Sequence, residues 1–352
     1  MRHEDLYIAG VGSWYPKPVT ADEAIEAGLW DEAGRRRTGQ VSATVAGDDD
    51  TQPGMAVRAG KLAVRQSGHA QSDFGVLLHA AVGFNGLDGW NIASHLQHEI
   101  LAGHGLSTEV RQQSNGAMAA IELAAAYLAA GTDRPAALIT ASDRFVLPVW
   151  DRWRAYAGLV LGDGASAAVL SRRSGFARVL SVVTNSRPEL ERAQRADLPF
   201  KPYADPHDTD LYPISLIRRM QDYAKASGRG MSGVFRRMNE ALVETVGTAA
   251  EEAGTRLEDV DHLIFPNFGR QMMRQEVLDP LGIGNERTPW QWVAEVGHAG
   301  ATDQFGALDH LGRAGLLVPG QRVMLTGIGL GFNWTTAVIE ILRPPATVES
   351  AL

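Results

Sequence analysis

The 352-residue chain is 45% hydrophobic with a net charge of −8, enough apolar content for a large core. That charge argues against non-specific nucleic-acid binding but not against an acidic carrier protein, for which Arg35–Arg37 and Arg218–Arg219 are candidate patches, although such clusters are more often simply solvated. No cysteine is present, so disulfides, thiolate metal sites and thiol nucleophiles are excluded. No apolar run approaches the ~20 residues of a membrane span. Met1–Asp5 lacks a signal-peptide profile, which predicts a soluble, cytoplasmic protein.

Leu6–Gly10 reads as a first strand, 20–47 as an irregular excursion, and Asp48–Asp50 as an exposed loop or helix start. A helix is predicted over 54–66, a buried strand over Phe74–His79, a helix over 91–103 and a brief strand over Val110–Gln113. The Ala- and Leu-rich run 116–130 predicts a helix apolar on nearly every face and therefore buried on all sides, with Gly131 ending it. A strand over 136–141, a Trp/Arg-rich segment over 144–156 and a strand over 166–170 follow. A strand over 177–184, a loop over 185–212 and helices over 215–226 and 231–254 open the second half. A strand over 260–266, helices over 271–281 and 300–314, and strands over 322–327 and 332–342 complete it. This alternation predicts an α/β fold with parallel-type sheets, built from two units, 1–173 and 174–352, in five layers, α/β/α/β/α.

One pattern occurs twice. Ser114-Asn115-Gly116 precedes a helical run ending at Gly131, and His298-Ala299-Gly300 precedes another ending at Gly315, each span 17 residues long. A duplication that sets a hydroxyl in one half and an imidazole in the other suggests a single site built from both. Taken alone, Ser114 is as well explained as a helix N-cap, and His298 as a structural histidine. Together they supply a nucleophile and the base it needs. Asp303, five residues after His298, can orient the imidazole only if His298 lies just before the helix and folds back; otherwise it is a first-turn acid.

Thr326-Gly-Ile-Gly329-Leu330-Gly331-Phe332 is glycine-dense at a strand boundary. Its backbone amides, with that of Ser114, are candidates for an oxyanion hole. Neither this segment nor Gly10-Val-Gly12 has the spacing or context of a dinucleotide loop. His95, His98 and Glu99 have metal-like spacing but no further ligand, so a solvated helix face is the better reading and no metal site is assigned.

These motifs resemble the thiolase superfamily, in particular β-ketoacyl-acyl-carrier-protein synthase III, over nearly the whole chain. Arg37-Thr38-Gly39 is similar to that family's Arg-Thr-Gly, Gly162-Asp163-Gly164-Ala165 to its Gly-Asp-Gly-Ala, and Gly329–Trp334 to its C-terminal Gly-Gly-Gly-Phe-Thr-Trp. Ser114 stands at the position of the family's cysteine, Asn267 at its histidine and His298 at its asparagine. Ala33 replaces a tryptophan expected at the tunnel mouth.

The resemblance implies a thiolase-like duplicated fold and a homodimer. The exchanged His and Asn place decarboxylation in question. The Ser–His–Asp set is similar to a branch of antibiotic and polyketide pathways that moves acyl groups from a carrier protein or coenzyme A to a hydroxyl or another carrier. On that reading Ser114 is the nucleophile, His298 and Asp303 the base pair, and Asn267 an auxiliary that holds the His298 region or a thioester carbonyl. The amides of Ser114 and Leu330 form the oxyanion hole, and Arg37, Gly329 and Gly331 contact substrate. No cofactor is permanently bound; acyl-CoA or a phosphopantetheinyl carrier is the substrate. The alternatives are a starter-unit-selecting decarboxylative condensase, a degenerate scaffold that docks a polyketide synthase, and a serine replacing a natural cysteine.

Overall fold

The computed structural model describes residues 5–131, 133–202, 205 and 207–347. The N-terminal stretch read for a signal sequence lies outside them apart from Asp5, as do 203, 204 and 206 of the 185–212 loop.

Eleven strands are present among the described residues: β1 Tyr7–Trp14, β2 Pro18–Thr20, β3 Ser42–Thr44, β4 Phe74–Ala80, β5 Leu106–Val110, β6 Ala136–Asp143, β7 Gly164–Ser171, β8 Ala177–Ser186, β9 His262–Ile264, β10 Arg322–Gly329 and β11 Asn333–Ile341. Nine of them run in the order β5-β4-β6-β7-β1-β8-β11-β10-β9, and β2 pairs with β3 in a small hairpin. The nine fall into two runs, β5 to β1 and β8 to β9. They are stitched together only where Tyr7 pairs with Arg178 and Ile8 with Ala177.

The sheets are mixed, not parallel as the alternation predicted. β4 is parallel to β5 and β6, and β9 to β10, but β6–β7, β7–β1, β10–β11 and β11–β8 are antiparallel. The reason lies in the connections. No long helix separates β6 from β7 or β10 from β11, so those strands return beside their predecessors, whereas a parallel pair needs a crossover.

Five layers result. Helix Gln52–Ser67 covers β1, β6 and β7 from outside. Gly10 and Gly12 allow this close packing: a Cβ on Gly10 would sit 2.2 Å from the Ala63 carbonyl oxygen. Helices Gly116–Ala129 and Asp303–Arg313 lie between the two sheet runs and touch both. Helix Gly230–Glu252 covers β8 and β11 on the far side. The central core joins Met118, Ile121 and Leu128 to Phe305, Leu308, Leu325 and Ile339.

Several expectations need correction. The 20–47 excursion holds two short helices, Ala21–Glu26 and Glu32–Thr38, capped by Thr20 and Asp31 side chains. The strand expected at 110–113 ends at Val110; beyond it the chain tightens into a 3₁₀ turn at Gln113–Asn115. Helix Gly116–Ala129 is buried on its inner faces only, because Leu123, Ala126 and Ala129 face outward, Leu123 being 52% exposed. A helix at Trp290–Val296 was not foreseen; Pro289 and the three aromatic or polar residues at its start mask its periodicity. Short helical turns at Pro188–Leu190 and Arg192–Arg195 interrupt the 185–212 loop. No helix among the described residues is long and apolar enough to cross a membrane.

Candidate active site

Ser114 stands where strand β5 has ended and the central helix has not yet begun. The residue before it, Gln113, has φ 52°, a left-handed conformation that a side chain adopts at a cost of order 1 kcal/mol or more. That kink turns Ser114 away from helix capping. The helix N-cap is Asn115 and carries no side-chain cap bond. The Ser114 hydroxyl instead lies 2.8 Å from His298 Nε2.

His298 comes from the other half of the chain. Its main chain is clamped: its N–H donates to the Val160 carbonyl at 2.8 Å, and Gly162 N–H donates to its carbonyl at 2.9 Å. Its Nδ1 lies 2.6 Å from Asp303 Oδ2. The five-residue spacing closes because residues 299–302 form a tight turn before helix Asp303–Arg313, so Asp303 folds back under the imidazole. Asp303 is fully buried and satisfied. Its Oδ2 also accepts the Asn267 N–H at 2.7 Å, and its Oδ1 accepts the Ala299 N–H at 2.9 Å. With a carboxylate at Nδ1, that nitrogen carries the proton and Nε2 is left to accept one from Ser114.

Asn267 is buried and does not line the cavity. Its Nδ2 donates to the Gly297 carbonyl at 2.8 Å, one residue before His298. Leu330 lines the same cavity as Ser114 and His298. The turn that carries it is pressed against the Ser114 turn, because a Cβ on Gly329 would stand 2.3 Å from the Gln112 carbonyl oxygen. Gly331 has φ 138°, open to glycine alone in practice. Gly329 and Gly331 shape this turn but are not among the cavity-lining residues. Arg37 is not brought to the cavity either. Its Nε donates to the Ala157 carbonyl at 2.7 Å on an exposed face.

The cavity that opens onto Ser114 and His298 is lined mainly by apolar and aromatic side chains, among them Phe145, Trp150, Met220, Leu242, Phe268 and Phe332. Such walls exclude water and strengthen the polar contacts inside.

Sequence reasoning missed the residues that hold this geometry. Asp143 is fully buried at the end of β6. It accepts N–H groups of Val82 and Gly83 through Oδ1 and of Ala301 through Oδ2. Burial pushes its carboxyl up to about 7, against those backbone bonds and the nearby His298. Asp163 forms a buried two-pronged pair with Arg152, at 3.0 and 2.8 Å, and accepts the N–H of Ala46 and Phe145. Arg152 also grips the Leu161 carbonyl, and so fixes the segment bonded to His298. Gly162-Asp163-Gly164 was the signal for this clamp, but its partner, Arg152, follows no motif.

Among the described residues no group of three or more His, Asp or Glu side chains could hold a metal ion. His95 packs on Trp90, and His98 is exposed beside Glu99.

The family model for 3-oxoacyl-[acyl-carrier-protein] synthase III matches residues 108–188, and its C-terminal counterpart matches 250–341. The chain is 26% identical to a β-ketoacyl-[acyl-carrier-protein] synthase III from Caulobacter vibrioides over 339 residues, covering 95% of this chain and 99% of the relative. It is 25% identical to the acetoacetyl CoA synthase NphT7 of a Streptomyces species over 350 residues, covering 95% and 98%. Among solved structures it is similar to the acyltransferase ChlB3, at 34% identity and a TM-score of 0.90, with 97% of this chain and 99% of that one covered. The synthase III FabH of Pseudomonas aeruginosa shares the fold, with a TM-score of 0.76 at 23% identity over 98% of this chain and 100% of that one.

Proposed function

The chain belongs to the 3-oxoacyl-[acyl-carrier-protein] synthase III-like family of the thiolase superfamily, and we propose on that premise that it is an acyltransferase working through an acyl-Ser114 intermediate. The donor is an acyl thioester of coenzyme A or of a phosphopantetheinyl carrier, and the acceptor a hydroxyl or a second carrier thiol in secondary metabolism. One observation carries this reading: the continuous Ser114–His298–Asp303 relay, with bonds of 2.8 and 2.6 Å, opening into an apolar cavity.

In the first half-reaction Ser114 Oγ attacks the thioester carbonyl carbon while its proton passes to His298 Nε2. The tetrahedral oxyanion is held by the main-chain amides of Ser114 and Leu330, each worth about 3 kcal/mol of barrier. The C–S bond breaks, His298 returns the proton to the leaving sulfur, and the free thiol departs. In the second half the acceptor hydroxyl or thiol gives its proton to His298 as it attacks the ester carbonyl, and Ser114 Oγ leaves with that proton. Asp303 keeps the Nδ1–H tautomer and stabilises the imidazolium; Asn267 acts on its neighbours, through Gly297 and Asp303, not on substrate. A role for Arg37 in contacting the carrier at the surface belongs to the same reading. So does a homodimer, with which the exposed Leu106 on the edge strand β5 is in keeping.

Decarboxylative condensation is the second reading, favoured by the likeness to NphT7. Against it stands Asn267, whose Nδ2 is committed to the Gly297 carbonyl and is turned from the cavity. Incubation with an acyl-CoA, malonyl thioester and a carrier acceptor separates the two. Acyl transfer without carbon dioxide release is expected; a β-ketoacyl product with stoichiometric carbon dioxide overturns the proposal. Absence of any acyl adduct and any turnover points to a docking scaffold.

A further inference from the structure

Glu276 is the one carboxylate among the cavity-lining residues, in walls otherwise built from Trp150, Tyr156, Met220, Met238, Leu242 and Met272. It forms no hydrogen bond or ion pair with any described residue, and nor does the side chain of Asn239, which lines the same cavity. Both side chains are half-buried, and without a protein partner their polar groups are left to face the cavity, where a ligand group can meet them. Local backbone supports the same view. Glu276 sits on a π-helical turn, Arg274–Leu278, a widened geometry that recurs at functional positions. That turn packs on helix Gly230–Glu252, which carries Asn239. Asn239 also borders an open groove with Phe235, Arg236 and Val243, so the cavity nears the surface at Asn239.

We propose that Glu276 and Asn239 form a polar subsite that hydrogen-bonds a neutral hydroxyl or amide of the thioester substrate. The subsite rests on the acyl-transfer reading of the cavity and adds a specificity determinant to it. Burial raises the Glu276 carboxyl to about 8, so near neutral pH it is protonated and offers one donor and one acceptor. The Asn239 amide offers both as well. That chemistry suits hydroxyls and amides and disfavours a carboxylate on the ligand. Two parts of a substrate carry such groups: a hydroxylated acyl chain, and the amide-bearing pantetheine arm.

Calorimetric binding of non-reactive amide analogues of acyl-pantetheine to the wild-type protein, E276L and E276Q tests this. Each analogue is made with a terminal methyl or a terminal hydroxyl on the acyl group, and with a full or truncated arm. If the acyl group is the source, E276L weakens the hydroxylated analogue about tenfold or more and spares the methyl one. If the arm is the source, E276L weakens every full-arm analogue by a similar factor and spares the truncated ones. In either case E276Q, which keeps both hydrogen-bonding roles, stays close to wild type. Equal affinities of all analogues for wild type and E276L overturn the subsite, as does loss in E276Q equal to that in E276L. The acyl-transfer reading fails separately, if the matching thioesters bind yet leave no acyl mass on Ser114.

Discussion

Ser114 and His298 lie 184 positions apart in the chain and 2.8 Å apart in space. The contact joins the two halves of the chain: one supplies the hydroxyl at the tip of the central helix, the other the imidazole in the turn before helix Asp303–Arg313. Each side chain is held by a different kind of constraint. The Gln113 kink aims the serine, and a short ladder to Val160 and Gly162 fixes the histidine.

The Asp303 carboxylate accepts from Nδ1 of His298 and from two backbone N–H groups. D303N retains the volume but presents an amide donor where the tautomer needs an acceptor. We expect turnover to fall about a thousandfold or more with the substrate KM little changed, measured by steady-state kinetics. An unchanged kcat would remove Asp303 from the relay.

Arg152 and Asp163 form a buried ion pair beneath the segment that binds His298. R152M leaves the Asp163 charge buried without its partner, and the loss of stability should be about 3–5 kcal/mol in chemical denaturation. Activity in the folded fraction should drop as well, since the Leu161–Gly162 segment loses its anchor.

Gly300 has φ 66°, and a Cβ there would stand 2.1 Å from the Asp143 carboxylate oxygen. G300A therefore strains the turn between His298 and Asp303 from two causes. We expect destabilisation of at least about 1 kcal/mol together with a lower kcat. The nearby control G315A, at φ 69° with open space around it, should show the backbone cost without the loss of kcat.

Glu276 has a folded-state carboxyl raised to about 8 from an ordinary value near 4.5. The folded state thus holds its proton more tightly than the unfolded chain does. Its contribution is fully present below about pH 4.5 and is lost as pH rises through about 8. Thermal unfolding of wild type and E276Q should therefore diverge as pH rises between those limits, with E276Q the more stable at the alkaline end. Parallel melting curves across that range would contradict the unpaired, cavity-facing state of Glu276.

Much of the architecture was legible because the signals were periodic or duplicated. The Ala-rich run after Ser114 and the matching run after His298 gave the central helices, and their equal spacing gave the pairing of serine with histidine. Asp303 was legible only conditionally, since its five-residue offset works through a turn that no helical period describes. What escaped was set by long-range contacts. Asp143 and Arg152 act on backbone groups of distant segments, so nothing adjacent to them in the chain signals their role. Sheet direction escaped because it depends on how the connections close. The outward face of Leu123 and Ala126 escaped because an all-apolar helix does not say which of its sides the chain itself covers.

The central claim, that Ser114 carries the acyl group, is tested most directly by intact-protein mass spectrometry after mixing with a panel of acyl-CoA thioesters. We predict a mass increase of one acyl group, mapped by peptide fragmentation to Ser114, absent in S114A and formed much more slowly in H298A. An adduct that persists in S114A, or a panel that leaves the wild-type mass unchanged, would contradict the account.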